Sequence, residues 1–344
     1  MVAPLSHPPL DRIRSLVADA RAAERSDAPD EALARYDEAL ELLADAGQSE
    51  LLADVLRWKG TVHRERGETE EAGALYRRSA DISDRLSYRA GKAHALNCLA
   101  AIAQRLGDLR EAERLYNEAA IVGTDAADQR LLGMIQQNLG ILANIRGDFD
   151  EASRRYHLSL EAYEAAGDDQ TTALTWNNLG MLHTDHGHFT DAEAAYERAL
   201  TIARRCGNAQ VARAVSLNRV ELLIAAERWA EADEQCSRSL NAAEQRRDRQ
   251  RRAEALKFLG IIERNRRQYD RSADALSQAR RLAGESGDVL LSAELLSELG
   301  ETWRRRGDAR EARAAWQEAE SVFAGVGARV DASGVRGRLA TLPA

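Results

Sequence analysis

Proline is almost missing from this chain. Among 344 residues there are five, Pro4, Pro8, Pro9, Pro29 and Pro343, so no proline can break a helix between Asp30 and Leu342. Aromatic residues are scarce as well, at 5%, which argues against one large aromatic-rich core. No run of about 18 apolar residues occurs, which excludes a membrane-spanning helix. The N-terminus lacks the basic start and apolar stretch of a secretory signal. Both absences predict a soluble, cytoplasmic chain. Cysteine offers little: Cys98, Cys206 and Cys236 are odd in number and form no CxxC pair, so neither a disulfide framework nor a zinc ribbon is indicated. Lysine is nearly absent too, with only Lys59, Lys92 and Lys257 against many arginines. What remains is abundant: Ala, Leu, Glu and Arg dominate, 44% of residues are hydrophobic and 30% charged, a mixture that favours helix nearly everywhere. The net charge of −8 argues against a nucleic-acid binder. The balance is uneven, however, since residues 241–310 carry 16 basic and 12 acidic side chains.

A period of forty residues organises the chain. Gly60, Gly140, Gly180, Gly260 and Gly300 are separated by multiples of forty, with Ala20, Ala100 and Val220 at the intervening steps. In phase with them run Gly67, Gly107, Gly147, Gly187 and Gly307, then Ala32, Ala72, Ala112, Ala152, Ala192, Ala232 and Ala312. Sixteen residues after the first series stand Tyr36, Tyr76, Tyr116, Tyr156, Tyr196, Cys236, Leu276 and Trp316, and three further on a small residue, such as Ala39, Ser79 or Ser159. Eight units fit without an insertion. Each reads as two antiparallel helices, with glycine supplying the left-handed stop of the first helix and a second set (Gly47, Gly167, Gly207, Gly287, Gly327) that of the second. Asp30, Asp150, Thr190 and Asp270 read as helix starts, Thr190 and Glu193 as a capping box. Such a pair cannot bury its apolar face alone, whereas a stack of pairs forms a continuous core. The expected organisation is a disordered leader (1–10), eight tandem repeats (11–327) and a capping helix (328–342). The fold class is all-α, a superhelical solenoid of antiparallel helix pairs.

These positions resemble the tetratricopeptide repeat: the small residue of the first helix, the Ala and Tyr of the second, and the small residue after them. The period is forty instead of thirty-four, and the proline usual near the end of the second helix is absent. This longer form is similar to the repeats of kinesin light chains, Leu-Gly-Asn type spindle adaptors, bacterial Rap regulators and MalT-like activators. The resemblance implies a right-handed superhelix whose first helices line a concave groove.

Enzymatic motifs are missing. No GxxxxGK[ST] loop, GxGxxG fingerprint, HExxH pair or GxSxG elbow occurs, so the chain reads as a non-enzyme with no cofactor. His183, Asp185, His186 and His188 could offer ligands to a transition metal, but Gly187 is expected to turn His188 away from the other two, and His63 at the equivalent position favours a packing role for His183. The basic run Arg246, Arg247, Arg249, Arg251 and Arg252 could attract phosphate or an acidic peptide, or simply be solvated.

The groove positions are more specific. Asparagine recurs two residues before the first-series small position, at Asn138, Asn178 and Asn218, with Asn97 and Asn177 beside them. A mid-helix asparagine has modest helix propensity and presents both a donor and an acceptor. By resemblance to the kinesin light chain and Rap repeats, these side chains would clamp an extended peptide backbone; the alternative is that they bridge adjacent helices. Met134, Ile141, Ile145 and Met181 add an apolar strip, flanked by Arg64 and Arg105 on one side and Arg264, Arg304 and Arg305 on the other. The expected partner is a protein or peptide with apolar anchors and an acidic end, and self-association is open. The leading reading is a bacterial-type interaction scaffold. A regulatory sensor binding a signal peptide or small ligand is the second, and metal or catalytic chemistry at His183 the third.

Overall fold

The computed structural model describes residues 10–125, 128–285, 287–325 and 328–342. The described residues form helices joined by short turns, with no strand among them. They fall into two compact units, Met1–Asp168 and Asp169–Ala344. The first unit contains α1 (Leu10–Arg25), α2 (Pro29–Ala46), α3 (Glu50–Glu65), α4 (Thr69–Arg85), α5 (Arg89–Arg105), α6 (Leu109–Asp125), α7 (Gln129–Ile145) and α8 (Phe149–Ala165). The second contains α9 (Asp169–Asp185), α10 (Phe189–Arg205), α11 (Ala209–Ala225), α12 (Trp229–Arg246), α13 (Arg249–Asn265), α14 (Tyr269–Glu285), α15 (Val289–Arg306), α16 (Ala309–Gly325) and α17 (Arg329–Ala340). Most of the expected leader and Gly327 lie outside the described residues.

The turns explain the period. A left-handed residue recurs every twenty positions, so each forty-residue unit is two nearly equal helices. Gly147, at φ +78°, shows the arrangement: its N–H donates to Asn144 O, and the next N–H, of Asp148, reaches back to Ala143 O at 3.0 Å. Both bonds satisfy carbonyls that the helix end would otherwise orphan. Helices begin two residues earlier than the sequence suggested. Asp148, not Asp150, caps α8 by accepting from Glu151 N at 3.1 Å, and Asp128, Asn208, Asp248 and Asp288 do the same elsewhere. The Thr190–Glu193 box is not formed. Thr190 lies inside α10, whose N-cap is His188, and Glu193 instead accepts from Arg219 and Arg228.

Within a pair, packing is a matter of matched sizes. A methyl built on Gly140 would sit 2.8 Å from the Tyr156 ring, and one on Gly180 2.6 Å from the Tyr196 ring. Glycine lets the ring sixteen residues later press directly onto the first helix in these pairs, whereas Ala20 and Ala100 meet Tyr36 and Tyr116 with a methyl in place, all four fully or almost fully buried. Val220 reverses the relation: a larger residue on α11 meets the smaller Cys236 on α12, and both are fully buried. The ring also reaches the following pair, since Tyr76 clusters with Cys98 and Ile102 of α5. Ser79 and Ser159 add a buried bond, donating to Ala53 O at 2.7 Å and Gly133 O at 2.8 Å on the helix preceding each.

Candidate functional site

The asparagines stand on the first helices of successive pairs, and the structure links them across helices. In the first unit Asn138 Nδ2 donates to Asn97 Oδ1 at 2.9 Å. In the second, Asn218 Nδ2 donates to Asn177 Oδ1 at 3.0 Å and lies 3.5 Å from Met181 Sδ, while Asn177 Nδ2 lies 3.6 Å from the same sulfur. Asn97 and Asn177 are buried at 5% and 6% exposure. They act as struts between helices, satisfying polar groups that burial would otherwise penalise. Asn138, Asn178 and Asn218 are only half-buried. Among the described residues Asn178 makes no side-chain hydrogen bond, and the Oδ1 atoms of Asn138 and Asn218 accept none. Bridging is thus observed at Asn97 with Asn138 and at Asn177 with Asn218.

The apolar strip is partly presented. Ile145 is 47% exposed and Met181 39%, whereas Ile141 is half-buried and Met134 packs against the core cluster of α5–α7.

The flanking arginines carry less available charge than their number suggested. Arg105 Nη1 donates to Arg64 O at 3.3 Å and its Nη2 to Thr69 Oγ1, so it serves the end of α3. Arg64 lies 3.8 Å from Glu65. Arg264, at 8% exposure, donates to Glu298 Oε2 at 2.6 Å and Glu298 O at 3.0 Å. Arg304 and Arg305 both bind Glu301, each at 2.7 Å, and these two guanidinium groups hold the partly buried Glu301 carboxyl down at about 2 against the opposing effect of its desolvation. Basic side chains with such partners are poor places for an acidic peptide to gain charge-assisted bonds.

The histidine cluster differs from expectation in its membership. Gly187 does not separate His188 from His183; the Gly187 turn brings their rings to 5.9 Å between centroids. Ligand atoms of His183, His188 and Asp191 lie within 4.8 Å of one another, and His186 and Asp185 are not in that group. The equivalent pair one hundred and twenty residues earlier, His63 and Glu68, is a hydrogen bond of 2.5 Å. A packing and turn-bracing role therefore has a direct precedent in the same chain.

Residues 51–120 and 131–205 match the family model of the tetratricopeptide repeat. No curated protein matches the sequence. Among solved structures the chain is similar to the apo form of the quorum sensor NprR from B. thuringiensis, with 15% identity and TM-score 0.68 over 93% of this chain and 89% of that one. It is similar to a signal transduction ATPase with numerous domains, bearing a tetratricopeptide repeat sensor, from Pyrococcus horikoshii, with 15% identity and TM-score 0.66. That likeness covers 95% of this chain but 52% of that one, so the chain spans about half its length. A Rap protein complexed with competence and sporulation factor gives 14% identity and TM-score 0.61, covering 96% and 97%. At these identities the likeness establishes the fold. Among the described residues no helix is long and apolar enough to cross a membrane.

Proposed function

We propose that this chain, whose residues 51–120 and 131–205 match the tetratricopeptide repeat, is a non-enzymatic binding module whose first helices hold an extended peptide or protein segment in a bacterial-type cytoplasm. The observation that carries this is found in each unit by itself: in the first, half-buried Asn138 with no partner on Oδ1 among the described residues, and in the second, Asn178 with no side-chain partner and Asn218 with none on Oδ1 among the described residues. An acceptor held rigid by its own strut is pre-organised for a peptide N–H, which reduces the ordering cost of binding. Exposed Met181 and Ile145 supply places for apolar side chains on the same helices. The surface supports apolar anchors better than an acidic end, because Arg105, Arg264, Arg304 and Arg305 are engaged within the chain.

A regulatory form of this reading is favoured by the neighbours, one of which is a quorum sensor and another a Rap protein bound to a signalling factor. Small-angle scattering with and without a bound peptide separates the two forms, since a sensor changes its compactness on binding and a scaffold does not. The core proposal is tested with peptides selected from a displayed library against the purified protein. Replacing Asn178 and Asn218 together by Ala, or Asn138 alone, is expected to weaken the peptides that bind the unit concerned about fivefold to tenfold or more, on the order of 1 kcal/mol per lost bond. Unchanged affinity with intact helicity overturns the clamp.

A further inference from the structure

One pair breaks the packing rule of the others. The position that is Ile13 in the first pair and Ala53, Ala93, Gly133, Ala173, Ala253 and Ala293 in others, buried each time, is the half-buried and only charged residue of the series, Arg213, on α11. An arginine cannot occupy the volume of a methyl at a helix–helix contact, so it wedges α11 from α12. Two consequences are visible. Ser239 is half-buried, whereas its equivalents Ala39, Ser79, Ala119, Ser159, Ala199, Ala279 and Ala319 are all at 0% exposure. It also does not make the bond to the opposite carbonyl that Ser79 and Ser159 make.

The opened space is a cavity of about 180 Å³ between α11, α12 and the start of α13. Its polar lining is cationic: Arg213, Arg238, Arg246 and Arg251, with Ser239 and Gln235 as further donors, over an apolar floor of Leu217, Ala242 and Ala243. The one carboxylate, Asp248, is occupied in capping α13, where it accepts from Arg251 N at 3.1 Å. Arg251 is paired with Glu254, and Arg238 with Gln235 and, at 3.6 Å, Glu234. Arg213 and Arg246 have no hydrogen bond or ion pair among the described residues. Arg213 and Arg246 thus bring two guanidinium groups without a carboxylate partner to one small cavity, where a dianion would balance their charge while receiving their N–H groups in forked geometry.

We propose that this cavity is an anion site for a phosphomonoester, the phosphate seated among Arg213, Arg246 and Ser239 and a short carbon body on the Leu217 floor. The site is separate from the carboxamides of the peptide reading and stands or falls without them.

The test is thermal unfolding and calorimetry of the full chain with inorganic phosphate, a sugar monophosphate and a phosphoserine peptide, each against potassium chloride and sulfate at matched ionic strength. A saturable rise in Tm with the phosphomonoesters, larger than with chloride or sulfate, is expected. The tighter of the sugar phosphate and the peptide identifies the source. Arg213→Ala restores the residue other pairs bury, so it is expected to raise Tm without ligand and to abolish the saturable response. Arg246→Gln, at an exposed position with no bond to lose, is expected to weaken binding about tenfold. Equal shifts from all anions at matched ionic strength, or a wild-type response in both variants, overturn the proposal.

Discussion

The pairs α7/α8 and α11/α12 are cut from one pattern and solve it in opposite ways. In α7/α8 the first helix offers Gly133 and Gly140, and the rings of Tyr163 and Tyr156 lie directly on them. In α11/α12 the same positions are Arg213 and Val220, opposed by Ala243 and Cys236. Where the exchange of sizes is complete, at Val220 and Cys236, both residues are fully buried; where it is not, at Arg213 and Ala243, a cavity opens. Between these two pairs, size lost on the second helix at Cys236 is made up on the first at Val220. Transplanting one solution into the other pair tests this most severely. Gly140→Val alone overpacks the Tyr156 ring and is expected to cost about 2–3 kcal/mol. Tyr156→Cys alone leaves a cavity and costs about 3–5 kcal/mol. The double variant should lose less than the sum by about 1–3 kcal/mol in urea unfolding. Strict additivity would show that the Val220–Cys236 match is coincidental.

A second contrast lies in a titratable side chain. His94 on α5 occupies a position held in the second unit by Leu174, Ala214, Glu254 and Glu294. Burial pushes its imidazole down to about 4, with Arg57 adding to the effect and Asp128, at 3.7 Å, and Asp54 opposing it. The native state thus holds the neutral ring while the unfolded chain takes up a proton near the ordinary histidine value. No effect is expected above about pH 6.5; stability is lost as pH falls from there toward 4. The loss reaches about 3 kcal/mol at most, and less because a quarter of the side chain meets solvent. His94→Leu, the residue of the equivalent Leu174, should flatten the urea midpoint across pH 6.5 to 4.5. Hydrogen exchange at pH 5 should show the wild-type protection loss concentrated in α3 to α7; a uniform loss along the chain would contradict its assignment to His94.

Much of this was legible in the sequence because it depends on one residue per position. The small and aromatic series, Gly140 with Tyr156 and Gly180 with Tyr196, specify helix pairs without any knowledge of neighbours. Helix starts were misplaced because Asp150 and Thr190 are good capping residues in the wrong register, whereas the bonds are made by Asp148 and its equivalents. Charge was the least legible property. The pairing of Arg304 and Arg305 with Glu301 could be inferred from spacing of three and four on one helix. That of Arg264 with Glu298 depends on which side chains two different helices bring together. The arginine at position 213 carried a signal all along, being the large polar residue in a series otherwise Ala or Gly after the first unit. Only burial of its equivalents showed what that substitution does to a pair.

The smallest contrast concerns the turns, and it isolates the backbone from packing. Both units mix glycine and non-glycine turns: the first turns on Gly47, Gly67, Gly107, Gly147 and Gly167 but also on Asp27 and Ser87, and the second on Gly187, Gly207, Gly287 and Gly307 but has three successive turns on Glu227, Arg247 and Arg267, each held at a φ between +57° and +61°. Left-handed backbone costs a residue with a Cβ about 1 kcal/mol or more, and glycine little, though glycine gives back some of the gain in unfolded-chain entropy. Each of Glu227→Gly, Arg247→Gly and Arg267→Gly is expected to stabilise the protein by about 0.5–1 kcal/mol. The positions are twenty residues apart on separate turns, so the three gains should add. Gly147→Ala in the first unit should lose a similar amount. The comparison is read from urea midpoints at constant slope. If the triple variant gains nothing while Gly147→Ala still loses, the side chains at the second unit's turns make compensating contacts, and the shortage of glycine there is a requirement of the surface instead of a tolerated strain.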